Sequence, residues 1–136
     1  MYEHPFHHWP EGNFYNHWAG TNMDLTDDIV QDAIAQGKEY CLFLYKSGPT
    51  RDQPPEEAKK IQSEHLFYLF RLRSSGKLIL NGPVLSEGEL RGIGIFDTKD
   101  RNEAAALLES DPAIRSGRLR YEVYDWFGIP GDTLPR

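Results

Sequence analysis

A short segment that is apolar on both of its faces constrains the fold of this chain more than any other feature of the sequence. Residues 40–46 read Tyr-Cys-Leu-Phe-Leu-Tyr-Lys and run into Ser47-Gly48-Pro49, which has the composition of a turn. Aromatic and aliphatic residues bounded by a turn predict a β-strand. Because neither face of this strand is polar, we expect a covering layer on both sides of it.

A long helical pattern follows this strand. Pro54-Pro55 and an acidic first turn are typical of a helix start, and Gly76 is typical of a helix end. Between them, apolar side chains recur at steps of three and four residues: Ala58, Ile61, Leu69 and Leu72, with Leu66 beside them. His65 falls inside this stripe, so the predicted helix carries a histidine on its apolar face.

An antiparallel hairpin is predicted after the helix. Residues 78–80 form an apolar strand that leads to a turn at Gly82-Pro83, and residues 90–97 form its partner strand. Gly92 and Gly94 fall on one face of the second strand. Since glycine has no side chain, a helix, a ligand or another backbone can approach that face closely.

The last part of the chain predicts a second helix and a final strand. Asp100 is the predicted N-cap of the helix, and Pro112 ends it because the residue before a proline disfavours helical geometry. From residue 118 to residue 126, apolar and polar side chains alternate as in a strand. The order strand, helix, strand, strand, helix, strand predicts an α+β fold with both helices on one face of an antiparallel sheet.

The other face of this sheet is also apolar in part. The first strand is apolar on both sides, and the last strand offers Tyr124 and Trp126 on its second face. Because a monomer would leave that patch in water, we predict a homodimer in which two sheets pack face to face.

The first 38 residues differ in character from the rest. They hold six acidic residues and one basic residue, a net charge of −5, and a short amphipathic helix is predicted between Thr26 and Gly37. Six aromatic residues and four histidines fall in the first 20 residues, the histidines being His4, His7, His8 and His17. The aromatic residues in this segment favour an arm that packs on the rest of the protein or on a partner subunit. A metal site on the histidines and simple disorder remain alternatives.

Charge and composition exclude several classes of function. The whole chain has a net charge of −6, which argues against a nucleic-acid partner. No apolar run is long enough to span a membrane, and the N-terminus lacks the pattern of a secretory signal, so a cytoplasmic location is expected. The single cysteine, Cys41, excludes an internal disulfide and is interpreted as core.

Several short motifs between about residues 39 and 127 occur in a fairly specific order and spacing. They are Glu64-His65, Gly76-Lys77-Leu78 leading to Gly82-Pro83, the 90–96 strand, Asp111-Pro112 and the 117–126 strand. Together they resemble the YCII-related family of small dimeric α+β barrel proteins. The resemblance implies a ferredoxin-like βαββαβ unit that dimerises through its sheets. It divides the chain into an extension, residues 1–38, and a domain, residues 39–136.

The resemblance also implies a cleft that holds a paired histidine and aspartate, which by motif position are His65 and Asp111. A histidine held by a carboxylate has a fixed tautomer and raised basicity, which suits a general base or acid near neutral pH. The residues alone also allow a structural interpretation, in which His65 is a core histidine bonded to a carboxylate and Asp111 only precedes a proline.

Candidate substrate-binding residues are aromatic side chains that could wall a pocket and turn residues that could shape its rim: Tyr45, Ser47, Tyr68, Gly82, Pro83 and Trp126. Core packing explains the aromatic residues as well, and ordinary turns explain the others. None of the familiar nucleophile or dinucleotide-binding signatures is present.

Two functional hypotheses follow. The first is a cofactor-independent lyase, isomerase or hydrolase that transfers a proton on a small cyclic or aromatic compound, with His65 as the base and Asp111 as its orienter. The second is a non-catalytic module that binds a small molecule or assembles through the dimer cleft. Neither needs a metal or cofactor, and both involve a homodimer and a small-molecule ligand.

Overall fold

A computed structural model describes residues 24–136, and its helices and strands follow the predicted order with one additional short helix. The elements are α1 (Asp27–Ala35), β1 (Lys38–Ser47), α2 (Pro55–Ser74), β2 (Leu78–Pro83), β3 (Leu90–Phe96), α3 (Arg101–Glu109), α4 (Pro112–Arg115) and β4 (Leu119–Gly128). The predicted arm, with its four histidines, falls in residues 1–23 and lies outside the described residues.

The four strands form one antiparallel sheet in the order β2-β3-β1-β4. Strand β3 pairs antiparallel with both β1 and β2. At the other edge, the end of β1 meets the start of β4, where the Gly48 amide donates to the Arg118 carbonyl oxygen over 2.8 Å. This strand order, with two helical crossover connections, is ferredoxin-like. The predicted fold class is therefore confirmed.

The hydrophobic core lies between one face of the sheet and the helices. Three successive inward residues of β1 are buried there, together with residues of β2, β3, α2 and α3: Cys41, Phe43, Tyr45, Leu69, Leu78, Phe96, Ala104 and Leu108. Gly94 lies opposite Phe43 in the sheet, and a Cβ atom on Gly94 would come within 2.2 Å of the Phe43 ring. The missing side chain of Gly94 therefore makes the room that the Phe43 ring occupies.

The second face of the sheet is apolar in part, as expected. Leu42 lies opposite Ile95 and Leu44 lies opposite Ile93, and Ile93 keeps 39% of its surface exposed. Trp126 packs against Tyr40 with ring centroids 6.1 Å apart and is 38% exposed. The homodimer that would cover this face stays a prediction.

Two compact units make up the chain. One is Tyr40–Trp126, which holds the core and most of the sheet. The other joins residues 24–39 with Phe127–Arg136, and in it the Phe127 ring fills the space over Gly37. The predicted boundary at residue 38 lies close to this division and stays a prediction.

Local signals in the sequence explain the helix starts. The Thr26 hydroxyl accepts a hydrogen bond from the Ile29 amide at the start of α1, and the Asp100 carboxylate accepts from the Asn102 and Glu103 amides at the start of α3. None of the helices in the described residues is long and apolar enough to cross a bilayer.

Two details differ from the expected pattern. The second helix ends before Pro112 as predicted, at Glu109 and with Asp111 in extended geometry, but Pro112 then begins a separate short helix, α4, that the sequence did not predict. Proline fits the first position of a helix, where its missing N–H has no helical partner. Gly82 and Pro83 lie in β2 rather than in a turn. Because β2 is an edge strand, proline can lie in it without removing a hydrogen bond from the sheet interior.

Candidate functional site

A histidine and an aspartate meet where α2 passes the start of α4. His65 is on the buried side of α2, and Asp111 is the N-cap of α4, where its Oδ1 accepts from the Ala113 amide over 2.8 Å. The His65 Nδ1 atom lies 2.9 Å from Asp111 Oδ1 and 2.8 Å from Oδ2. The short helix that the sequence did not predict therefore positions the carboxylate.

Asp111 has a third donor in addition to these two. The Tyr45 hydroxyl, from the core side of β1, donates to Asp111 Oδ2 over 2.5 Å. Asp111 is completely buried, so its charge must be met by hydrogen bonds in place of water. A side chain from β1, one from α2 and a backbone amide of α4 supply those bonds.

This arrangement assigns a role to each nitrogen of the His65 ring. A carboxylate only accepts hydrogen bonds, so the neutral ring carries its proton on Nδ1 and keeps a lone pair on Nε2. Among the described residues, Nε2 has no hydrogen-bond partner. The site thus holds a histidine in the tautomer that can accept a proton at Nε2.

Tyr45 is held as a hydrogen-bond donor. Burial first, and then the nearby charge of Asp111, raise the pKa of Tyr45 far above its ordinary value. The ring also packs edge-on against His65, with ring centroids 5.3 Å apart. Tyr45 therefore fixes the carboxylate and the imidazole together.

A cavity of about 240 Å³ opens beside this network. His65 and Tyr45 form part of its wall, and the end of β2 forms another part with Asn81, Gly82 and Pro83. Apolar contacts come from α2 through Ile61, Leu66 and Leu69. A cavity of this size with both apolar and polar lining residues suits a compound of about one ring.

The predicted substrate-binding residues divide into two groups. Tyr45, Gly82 and Pro83 line the cavity. The others do not: the Ser47 backbone bonds to Glu89 and Arg120, the Tyr68 hydroxyl donates to the Leu107 carbonyl oxygen over 2.6 Å, and Trp126 packs on Tyr40. The roles of all these residues stay predictions.

Three arginines also line the cavity: Arg51, Arg91 and Arg118. The sequence analysis did not single out any of them. Arginines in loops and at strand ends look like ordinary solvated residues in a sequence, so nothing in their local pattern marks them. The available signal was their position next to turns, since Arg51 follows Gly48-Pro49 closely and Arg118 follows Gly117 directly.

A metal site finds no support in the described part of the chain. Within residues 24–136, no three histidine, cysteine, aspartate or glutamate side chains come together in a group that could hold a metal ion. The alternative based on His4, His7, His8 and His17 concerns residues outside that range.

Comparison with known proteins identifies a family and similar solved structures. The family model of the YCII-related domain matches residues 39–127. No curated protein matches the chain significantly. Among the solved structures, the chain is similar to that of 5-chloro-2-hydroxyhydroquinone dehydrochlorinase from Burkholderia phenoliruptrix in complex with 2,5-dihydroxybenzoquinone. That similarity has 21% identity and a TM-score of 0.48, over 63% of this chain and 92% of the other.

Proposed function

This chain belongs to the YCII-related family, as its motifs predicted, and from that premise we propose that it is an enzyme that transfers a proton on a small organic compound. The proposed substrate class is a small cyclic or aromatic carbonyl or phenolic compound. The reaction would be an isomerisation, an elimination or a hydrolysis, each of which needs a group that takes up a proton and returns it.

One observation carries this proposal. His65 lines a cavity while its Nδ1 atom is held by a buried carboxylate, 2.8 Å from the nearer oxygen. A histidine that served only the core would have no need of a cavity beside it. The combination of a fixed tautomer with an adjacent cavity is the arrangement expected of a general base.

The proposed mechanism uses the three side chains in distinct ways. His65 accepts a proton from a C–H or O–H group of the substrate at Nε2, and the ring becomes an imidazolium. Asp111 stabilises that positive charge across the Nδ1 hydrogen bond, and Tyr45 keeps the carboxylate in place. The imidazolium then returns the proton to another atom of the substrate or to a leaving group, which restores the neutral histidine.

The experiment measures proton transfer directly. Candidate cyclic ketones and phenols are incubated with the protein in D₂O, and proton NMR follows the exchange of their acidic hydrogens for deuterium. We expect His65→Gln to slow this exchange by about a hundredfold or more, the usual contribution of a general base. An exchange rate that survives His65→Gln contradicts the proposal.

Two further variants make the result specific. Asp111→Asn keeps the shape of the side chain but removes the charge that stabilises the imidazolium, so we expect it to slow exchange as well. Asp125→Asn makes the same chemical change at an exposed carboxylate that pairs with Arg101 at 3.6 Å, and we expect it to leave the rate unchanged. Circular dichroism confirms that each variant is folded.

A second candidate function rests on the apolar second face of the sheet. Ile79, Ile93, Tyr124 and Trp126 each leave more than a third of their surface exposed. A protein with this function would bind a ligand in the cavity or assemble through this face, and it would catalyse no reaction. In that case His65→Gln would change neither proton exchange nor ligand affinity strongly, which separates the two functions.

A further inference from the structure

The wall of the cavity carries positive charge without any negative charge. Arg51, Arg91 and Arg118 line it, and no aspartate or glutamate is among the residues that form its wall. The chain as a whole is acidic, with 21 acidic and 15 basic residues, so a cluster of arginines is not a consequence of composition. The charge of this cavity is therefore a local feature that calls for an explanation.

The backbone holds two of these arginines side by side. The loop after β1 is bonded to the turn before β4, because the Gly48 amide donates to the Arg118 carbonyl oxygen and the Thr50 amide donates to that of Gly117, over 2.8 and 2.9 Å. A Cβ atom on Gly48 would come within 2.1 Å of the Gly117 oxygen, so only glycine permits this approach. Arg51 and Arg118 are thus brought together by the main chain.

Neutral partners orient the two guanidinium groups. Arg51 Nη1 donates to the Arg118 carbonyl oxygen, and Arg118 Nη1 donates to Gln53 Oε1 over 2.7 Å. By contrast, two arginines away from the cavity have carboxylate partners: Arg101 pairs with Asp125 at 3.6 Å and Arg120 with Glu89 at 2.7 Å. Within residues 24–136, none of the three cavity arginines forms an ion pair.

The positive charges of these arginines repel one another. Partial burial, and then the proximity of Arg118 and Arg91, lower the pKa of Arg51, because each of these effects disfavours its positive charge. Oriented, uncompensated guanidinium groups at the wall of a cavity are the arrangement that binds an anion. The missing negative charge is therefore expected on the ligand.

We propose that the cavity takes its substrate as a carboxylate, with the carboxylate group held by Arg51, Arg91 and Arg118 and the ring of the same molecule directed toward His65. This inference rests on the proposed function only for the role of His65; the binding of a carboxylate by the arginines stands without it. A planar carboxylate matches the two parallel donors of a guanidinium group, and the cavity volume of about 240 Å³ suits a single ring with one such group.

The test is equilibrium binding of a matched pair of probes, 4-hydroxybenzoate and its uncharged analogue 4-hydroxybenzamide, measured by titration calorimetry at low salt. We expect the wild-type protein to bind the benzoate at least about tenfold more tightly than the amide. Arg91→Gln should remove most of this preference and leave the affinity for the amide unchanged. Arg115→Gln, at an exposed arginine outside the cavity wall, is the matched control and should change neither affinity.

Several results would overturn the proposal. They are equal affinities for benzoate and amide, no binding of the benzoate at all, and an equal loss of affinity in Arg91→Gln and Arg115→Gln. Tighter binding of inorganic phosphate than of the benzoate would also contradict it, because the site would then be built for a different anion. Retained benzoate binding in His65→Gln supports it, even if His65 proves to have no part in proton exchange.

A second measurement distinguishes a ligand-binding arginine from a structural one. Arg91 makes no side-chain hydrogen bond or ion pair within the described residues. Replacing it with an uncharged residue therefore removes its charge repulsion with Arg51 and breaks no bond. We expect Arg91→Gln to raise the midpoint of thermal unfolding of the unliganded protein by about 1–3 °C. A lower midpoint would mean that Arg91 stabilises the fold, and it would contradict the proposal.

Discussion

Asp111 is the residue on which the candidate site depends. It is completely buried, and its two oxygen atoms receive hydrogen bonds from His65, Tyr45 and the Ala113 amide. Removing a partner from a buried charge costs more free energy than the bond itself contributes, because the charge loses both water and donor. The stability of the protein and the geometry of the site are thus linked at one carboxylate.

The Tyr45 hydroxyl tests that link. Tyr45→Phe removes one of the three donors and keeps the ring, so we expect the free energy of unfolding at pH 7 to fall by about 1.5–3 kcal/mol, the usual value for a hydrogen bond to a charged group. Denaturant unfolding monitored by circular dichroism measures this difference. Tyr121→Phe is the control: it removes a hydroxyl that donates to the exposed Glu109 carboxylate over 2.7 Å, and because water can replace that donor it should lower the free energy of unfolding by less. A Tyr45→Phe protein as stable as wild type would show that Asp111 does not need this donor.

The pH dependence of the same pair gives a second prediction. The pKa of Tyr45 is raised in the folded protein, so the unfolded chain loses this proton first as the pH rises. The stability that Tyr45 contributes is therefore fully present below about pH 10, the ordinary tyrosine pKa, and declines above it by up to about 1.4 kcal/mol per pH unit. Unfolding of wild type and Tyr45→Phe between pH 8 and about pH 11 measures this. A constant difference across that range would contradict the raised pKa.

At the level of single residues, the sequence predicted where the site residues lie on their elements better than it predicted which residues they contact. His65 was recognised on the apolar face of its helix, and family motifs singled out Asp111, yet no local pattern connects either residue to Tyr45. That contact joins residues 66 positions apart, and it exists only because β1 and α4 meet in the folded chain. Arg51 and Arg118 were missed for the same reason.

Elements were predicted well where their signals are local. Strand β1, helix α2 and the cap of α3 follow from apolar patterning and capping residues within a few positions. Helix α4 was missed because Pro112 both ends one helix and begins another, and only the backbone geometry of Asp111 decides which. Gly82-Pro83 resembled a turn because its place in an edge strand depends on the sheet order.

The packing of β1 on β3 gives a prediction for these two strands. A Cβ atom on Gly94 would lie 2.2 Å from the Phe43 ring, which is completely buried and has no free space to move into. We expect Gly94→Ala to lower the free energy of unfolding by about 1–3 kcal/mol, as overpacked cores do. Gly82→Ala is the control, because a Cβ atom there meets nothing within 4 Å.

A double variant identifies the cause. If the loss comes from the Phe43 ring, then Phe43→Leu costs less in the Gly94→Ala protein than in wild type, since the smaller side chain relieves the clash. Chemical denaturation of the four proteins gives the coupling free energy. Additive effects would mean that Gly94 is needed for another reason.

For the whole molecule, the exposed apolar residues on the second face of the sheet lead to the prediction of a homodimer. Leu44 and Ile93 are paired across β1 and β3 on that face, and a charge at Ile93 would be buried without a partner in a sheet-on-sheet interface. We expect wild-type protein to sediment as a dimer and Ile93→Lys to sediment as a monomer. Leu85→Lys makes the same change at a residue that is 91% exposed and outside the sheet, and should remain dimeric. Wild-type protein that sediments as a monomer would refute this prediction.

The long separation of the site residues along the chain affects how the protein is made. Tyr45 and His65 leave the ribosome well before Asp111, which follows them by 66 and 46 residues. A nascent chain that has not yet reached α4 has the histidine without its carboxylate, and a fragment cut before Asp111 lacks the His65–Asp111 contact. The proposed base therefore acquires its carboxylate partner only after most of the sheet and helices around it have been synthesised, so in the growing chain the proposed chemistry cannot begin ahead of the fold.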